Sequence, residues 1–520
     1  MNKSKYLLIV VLLAFAFTSC RKTLELAPED YYGDGNFWKN ESQVTNFMVG
    51  LHKQFRDNRF MFLRLGEMRG GGFSNEDRQN TSLSELTIIN QAIEETSTGV
   101  TSWSGLYGPI LQLNLFIQKV EAANFLATDK KNYLLGQAYA MRAYYYFHLL
   151  RTYGGVPLRL EPEVSNGNTD AVALRKARSS ESEVLASIKS DVNKSISLFG
   201  TSASPADKSQ WNPQAALMLK GEVFLWSAKL YNNTADLAEA KSALNAITGT
   251  SLLANFASVF STKNNSEIIF AVRYRDGEDE MGTTYSYFLY STYNFDNLHV
   301  KDSTTLGPTL VDPLNIASAP AQIIQRYGYT FELFQSYDVS DTRRDATFYD
   351  YYKTSASGSN VIVTTRNTAL VKFLGEMNAA NRRVFTNDWP VYREADRLLM
   401  LAEITNAEGG DPSSYIKLIR DRAFSNADPN PFINGTQDEN ELAIFAERSK
   451  EFVYEGKRWY DIRRMKYGGE PLVYISPNQP YGVLDKGTDG YKILWPVETA
   501  IWTNDPLVDQ TPGYASSKPK

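Results

Sequence analysis

Long amphipathic stretches that occur in neighbouring pairs constrain the fold of this 520-residue chain more than any other feature. The clearest, 130–153, places apolar residues at three- and four-residue steps, which is the spacing of one helix face. These residues are Leu134, Ala138, Met141, Tyr145 and Leu149. Gly154-Gly155 and Pro157 then favour the end of the helix. Similar patterns predict helices at 42–57, 104–123, 180–198, 214–231, 235–247, 394–407, 412–425 and 439–455.

Small residues on these stretches indicate helices that approach one another closely, as in tetratricopeptide-type pairs. They are Gly136, Ala140, Gly221 and Ala228. The units are unevenly spaced, so we predict a mainly α fold: tetratricopeptide-like helix pairs form a scaffold, with long loop-rich insertions and a few short strands. The predicted single domain is 41–520, with scaffold at 41–59, 104–270 and 391–465, insertions at 60–103 and 271–390, and strands near 267–273 and 360–366.

The first twenty residues have the layout of an export signal. Lys3 and Lys5 precede an apolar run from Tyr6 to Phe17, which is too short to cross a bilayer, and Thr18-Ser19-Cys20 follows. Cys20 is the only cysteine, which excludes an internal disulfide. We therefore predict a signal peptide at 1–19, a lipid anchor on Cys20 and a tether over 20–40.

Charge and motif content narrow the function classes. A net charge of -5 gives no electrostatic basis for nucleic-acid binding. The three histidines, His52, His148 and His299, lie far apart, and there is no phosphate-binding loop or hydrolase nucleophile motif. We therefore predict no metal and no cofactor, and we expect His148 to be a packed helix histidine. The acidic turn at Asp276, Glu278, Asp279 and Glu280 lacks the spacing of a known calcium loop, which favours a solvated turn.

A row of acids marks the C-terminal part of the chain. Glu447, Glu451, Glu455 and Arg458 would share one face of a continuous helix, with further arginines beside them. A catalytic acid row is one interpretation. The other is a buried salt-bridge ladder that joins helices, and it is favoured because neighbouring arginines lower the pKa of carboxyl groups.

Aromatic residues are the positive functional signal, since 31 Tyr, 27 Phe and 8 Trp make up 13% of the chain. Flat rings with polar edges bind sugar faces, while amides and charged groups bind hydroxyls, although local packing remains the alternative at each position. The candidates in the second insertion are Tyr274, Tyr285, Tyr287, Tyr290 and Tyr293. Those in the first insertion are Phe73, Asn75, Asp77 and Arg78.

Several motifs, taken in order, resemble the SusD/RagB family of outer-membrane glycan-binding lipoproteins. They are Trp103-x-x-x-Tyr107-x-x-Ile110-x-x-x-Asn114, Ala138 to Pro157, Arg393 to Glu403, Ile419 to Ala423, Glu447 to Arg464, and Trp495 to Tyr514. The resemblance implies four tetratricopeptide-like pairs, a loop-rich ligand face and a SusC-type TonB-dependent transporter as partner. It also implies that these motifs are scaffold, so Trp103 is expected to pack rather than to bind sugar.

Together with the predicted lipid anchor on Cys20, the resemblance implies a cell-surface protein of the outer membrane that captures oligosaccharide or polysaccharide and delivers it to the transporter. A glycan-active hydrolase on the same scaffold is an alternative, which a carboxylate pair facing the aromatic loops would favour. A scaffold lipoprotein that binds protein or peptide is another. The identity of the glycan is not encoded in any motif, because none of the motifs carries the ligand residues.

Overall fold

The computed structural model describes residues 37–74, 83–99, 103–164, 170–291, 299–307, 309–476 and 481–514. The predicted signal peptide and Cys20 lie outside these residues, as do most of the predicted tether and the candidates Asn75, Asp77, Arg78 and Tyr293. Among the described helices, none has the length and apolar character needed to cross a bilayer.

The helices of the first half are α1 (Glu41–Asp57), α2 (Arg59–Leu63), α3 (Leu83–Ile89), α4 (Ser104–Ala122), α5 (Thr128–Tyr153), α6 (Glu181–Phe199), α7 (Pro213–Leu230), α8 (Ala235–Asn245) and α9 (Ser258–Ser261). A π-helical turn, Arg64–Met68, continues α2. Next come β1 (Ile268–Val272), α10 (Gly282–Ser286), β2 (His299–Val300), α11 (Phe331–Gln335), α12 (Thr342–Thr347), β3 (Phe348–Ser357), β4 (Asn360–Leu370), β5 (Glu376–Met377), β6 (Arg383–Val384) and β7 (Trp389–Arg393).

The C-terminal part returns to helices with two very short strands. Its elements are α13 (Glu394–Ala407), α14 (Ser413–Ala423), α15 (Gln437–Glu451), α16 (Arg458–Arg464), β8 (Lys466–Tyr467), β9 (Glu470–Pro471), α17 (Lys486–Asp489), a 3-10 turn (Gly490–Ile493) and α18 (Thr499–Asn504). Helix α1 packs against α4, α5 against α6, α7 against α8, and α13 against α14. The predicted mainly α fold with paired helices is therefore confirmed.

Local sequence explains where these helices begin, end and touch. The side chain of Asn212 accepts hydrogen bonds from the amides of Gln214 and Ala215, so it caps α7 one residue before Pro213. Gly154, at φ 73°, ends α5. A Cβ atom on Gly221 would lie 2.5 Å from Leu244 of α8, which explains why a glycine occupies this helix interior.

Within the described residues, the strands form small antiparallel sheets rather than a central one. β1 pairs with β7 and joins the two halves of the scaffold, and both strands are buried throughout. β3 and β4 form a long hairpin whose inner ends are buried and whose tip is exposed. The alternating run at 360–366 predicted β4 correctly, but its partner β3 was not anticipated.

One predicted helix is shorter than its pattern suggested. The stretch 439–455 was expected to continue past Glu455, yet α15 ends at Glu451 and α16 begins only at Arg458. Between them Tyr454 and Gly456 adopt positive φ angles of 65° and 70°, which an α-helix cannot accommodate. Glu447 and Glu451 therefore share a helix face, and Glu455 and Arg458 do not belong to it.

Candidate ligand-binding site

The second insertion contains a cavity of about 560 Å³ that opens to solvent. Its walls come from the acidic turn before α10, from Tyr287 just after α10, from the stretch 319–326 and from Phe385. Apolar side chains, including Ile323 and Phe385, alternate with charged ones around it. Such a volume, with mixed apolar and polar walls, is typical of a small-molecule site.

Tyr287 and Arg326 form the best-defined wall of this cavity. The backbone amides of Arg326 and Tyr327 both donate to the Tyr287 carbonyl oxygen, at 2.9 and 3.1 Å. The Arg326 guanidinium carbon lies 4.3 Å from the centre of the Tyr287 ring, in a cation–π contact. The Tyr327 ring meets Tyr287 edge-on at 5.8 Å. Tyr287 is half-buried, so its ring is held in one position while part of it remains accessible.

The acidic turn forms another wall, and its carboxylates are already engaged. Arg56 of α1 lies 2.7 Å from Glu278 and 3.0 Å from Asp279. The hydrogen bond from Arg56 lowers the pKa of Glu278. Glu280 accepts a hydrogen bond of 2.7 Å from the Phe385 amide. A general acid needs a raised pKa, so Glu278 is poorly suited to protonate a leaving group.

Four of the predicted aromatic candidates are packed inside the protein. Phe73, Tyr274, Tyr285 and Tyr290 are between 0 and 4% exposed. The Tyr274 hydroxyl accepts from Arg59 at 3.0 Å, and the Tyr290 hydroxyl donates to Asp312 at 2.6 Å. The sugar-binding expectation is wrong for these rings, because protein atoms already cover the faces that a ligand would need.

Tyr287 is thus the one candidate from the second insertion that the structure describes and leaves partly open. The residues opposite it, in 319–326, were missed because this stretch carries no aromatic residue or recognisable motif. The dipeptide Arg326-Tyr327 was the only available signal. Its role depends on the hydrogen bonds from its two backbone amides to the Tyr287 carbonyl oxygen, and these long-range contacts are not encoded in the local sequence.

The acidic row of the C-terminal part is a buried salt-bridge cluster. The Glu451 carboxylate lies 2.6 Å from Arg393, 2.5 Å from Arg422 and 3.2 Å from Arg343. Burial alone would raise the pKa of Glu451, but the guanidinium groups lower it far below its usual value. Glu447 pairs with Arg343 and Arg420, and Glu455 pairs with Lys372 and Arg393. The cluster therefore joins α12, β7, α14 and α15, as the salt-bridge interpretation predicted.

Two other side chains named from the sequence also pack as expected. His148 stacks on Phe62 at 4.7 Å, and its Nδ1 lies 3.0 Å from the Tyr460 hydroxyl. Burial lowers the pKa of His148, so the ring is neutral at physiological pH. Trp103 is 8% exposed and meets the rings of Tyr107 and Tyr153 edge-on.

Comparison with known proteins decides the family. Residues 266–514 match a family model described as the SusD family, and residues 25–225 match one described as "Starch-binding associating with outer membrane". The crystal structure of a SusD superfamily protein from Bacteroides fragilis is 36% identical, with a TM-score of 0.83. The match covers 92% of this chain and 100% of the chain in that crystal structure. The chain belongs to the SusD family.

Other SusD-family relatives agree with this assignment. The NanU protein of B. fragilis is 31% identical over 94% of this chain and 100% of its own, with a TM-score of 0.80. SusD-like protein P38 of Formosa agariphila is 26% identical and covers 99% of this chain and 100% of the relative. The predicted resemblance is therefore confirmed over nearly the whole chain, including the insertion that holds the Tyr287 cavity.

Proposed function

We propose that this SusD-family protein binds neutral oligosaccharide in the Tyr287 cavity at the outer surface of the outer membrane. The observation that carries the proposal is a family match spanning both halves of the chain, one model of which is described as starch-binding and outer-membrane-associated. The cavity supports the proposal because it is lined by a fixed aromatic ring, a guanidinium group and apolar side chains. A sugar ring gains little from hydrogen bonds exchanged with water, so contact with the Tyr287 ring adds to the binding energy that the cavity supplies.

Calorimetry with neutral hexasaccharides derived from starch, xylan and cellulose tests this proposal. Tyr287→Ala should weaken the binding of the preferred glycan about fivefold, because one aromatic contact contributes about 1 kcal/mol. Tyr231→Ala, which removes a tyrosine 38% exposed at the end of α7, is the matched control and should bind normally. Unchanged glycan affinity in Tyr287→Ala would show that the glycan does not bind in the Tyr287 cavity. A steep dependence on salt would instead indicate an anionic glycan or a protein ligand.

Delivery to a SusC-type TonB-dependent transporter is the second part of the proposal. Modest glycan affinity suits a protein that must release its cargo. The protein should co-purify with a TonB-dependent transporter from outer membranes solubilised in mild detergent. A chain that elutes alone, while that transporter is present in the same preparation, would contradict a stable complex.

We propose that a lipid on Cys20 attaches the protein to the membrane. Two or more acyl chains hold a protein firmly on a membrane, whereas one holds it only marginally. Cys20→Ala should therefore move the protein from the membrane fraction to the soluble fraction, or leave an uncleaved precursor. Ser19→Ala, which keeps the cysteine, is the control. Normal membrane retention of Cys20→Ala would show that another element anchors the chain.

A further inference from the structure

A second polar cavity lies on the helical scaffold, and none of its lining residues belongs to either insertion. It has a volume of about 520 Å³ and lies between one face of α14 and the loop that follows this helix. Ser414 and Lys417 contribute from the helix, and Asn426, Asp428 and Phe432 contribute from the loop. The volume is within the range of small-molecule sites.

The charges that line this cavity balance one another. Arg420 pairs with Asp428 at 2.6 Å, and Lys417 pairs with Asp421 at 2.5 Å. Arg420 also pairs with Glu447, at the edge of the Glu451 cluster, so its guanidinium is fixed in place. Because the lining holds two cations and two carboxylates that already pair, no net charge is available to select an ion. The cavity therefore suits a neutral ligand.

The remaining surface of the cavity is amphipathic. Phe432 is half-buried: it packs against the main core and also lines the cavity, next to Pro431. In the part of the chain that the structure describes, the Ser414 hydroxyl and the Asn426 side-chain amide have no protein partner. The backbone of the loop is held in place by two hydrogen bonds of 2.7 Å. The backbone amide of Asn426 donates to the Asp421 carbonyl oxygen, and the Arg420 side chain donates to the Asn430 carbonyl oxygen. An aromatic ring beside free hydroxyl and amide groups is the combination that binds a sugar unit.

We infer that this scaffold cavity is a second binding site for a neutral sugar unit, independent of the Tyr287 cavity. The inference rests on the proposed glycan-binding function. Two modest sites on one rigid body give a long glycan a second, intramolecular contact, which raises its apparent affinity without requiring either site to bind tightly. A short oligosaccharide would instead occupy the two sites separately.

Calorimetry on the full chain can count these sites, using maltohexaose, xylohexaose and cellohexaose and then the corresponding polysaccharide. Ser414→Trp fills the scaffold cavity from the helix side. Ser242→Trp, at an exposed position on α8, is the matched control. Phe432→Leu keeps an apolar side chain against the core but removes the ring. Thermal melting should show that all three variants fold.

The parent should bind two equivalents of the preferred hexasaccharide, and Ser414→Trp should bind one. Tyr287→Ala should still bind two, with the affinity of one site lowered about fivefold. Phe432→Leu should weaken the scaffold site at least fivefold, and Ser414→Trp should weaken polysaccharide binding at least tenfold. One equivalent in the parent, unchanged in Ser414→Trp, would overturn the second site and leave the proposed function intact. Loss of binding in Ser414→Trp alone would support the scaffold site and overturn the Tyr287 cavity. No binding of any glycan by the parent would overturn both proposals.

Discussion

The cluster around Glu451 and the cavity beside Tyr287 are built from the same kinds of side chain: arginines, acids and aromatic rings. In the cluster, Glu451 and Arg343 are 0% exposed, and the charges compensate one another across four elements. In the cavity, Tyr287 is half-buried, and Glu278 is 51% exposed although it is paired. The same chemistry thus stabilises the fold where water is excluded, and lines an open cavity where water remains.

Glu451→Gln is the most severe test of this difference. Removing one charge leaves three guanidinium groups without their shared partner in a buried site, so we expect a loss of about 3–5 kcal/mol in the free energy of unfolding. Chemical denaturation measures the change. Glu408→Gln, which breaks the exposed pair with Lys241, should cost about 0–1 kcal/mol. Equal effects in the two variants would contradict the structural role of the cluster.

The pH dependence of stability sharpens the same contrast. The pKa of Glu451 is lowered in the folded state from its usual value of 4.5, because the guanidiniums outweigh burial. Its stabilising contribution is therefore complete above pH 4.5 and is lost as the pH falls toward the folded-state pKa. The stability gap between the parent and Glu451→Gln should stay constant from about pH 6 to 8 and narrow below about pH 4.5. A gap that widens in acid would refute the assignment.

The effect of an added methyl group on stability should differ between the tightly packed scaffold interior and a position with free space. Gly221→Ala places a methyl group against Leu244 and should destabilise the protein by about 1–3 kcal/mol. Gly50→Ala, inside α1 with no atom within 4 Å of the new Cβ, should stabilise it by about 0.5–1 kcal/mol. Thermal melting of the two variants gives opposite signs if the close contact between α7 and α8 is real.

The smallest effects are expected for substitutions of Tyr287 and Tyr290, which lie three residues apart. Tyr290→Phe removes a buried hydroxyl that donates to Asp312, so it should lower stability by about 1 kcal/mol and leave glycan affinity unchanged. Tyr287→Phe keeps the ring and should change stability little. A loss of glycan affinity in Tyr290→Phe, measured by the same calorimetric titration, would place the ligand closer to the insertion core than proposed.

The scaffold was predictable because helix periodicity and capping are local properties of sequence. The stripe in α5 and the Asn212-Pro213 start of α7 both reappear in the structure. The candidate site was less predictable, since it depends on long-range partners. Tyr274 is buried by Arg59, more than 200 positions earlier, and Tyr290 is held by Asp312, so spacing alone could not separate them from Tyr287. The end of helix α15 at Glu451 could not be predicted either, because tyrosine is not a residue expected at a positive φ angle, as Tyr454 adopts.

The hairpin of β3 and β4 is fastened at both ends to the scaffold. Arg343 precedes it and Lys372 follows it, and both side chains are buried in the Glu451 cluster. Its tip, around Gly358, is exposed and makes a two-residue turn between Ser357 and Asn360. Because both ends are attached in this way, protein engineering can replace the exposed tip of the hairpin while Arg343 and Lys372 keep the two strands in place. A donor hairpin must keep the arginine, the lysine and the buried inner ends of both strands, and only its exposed tip is free to diverge.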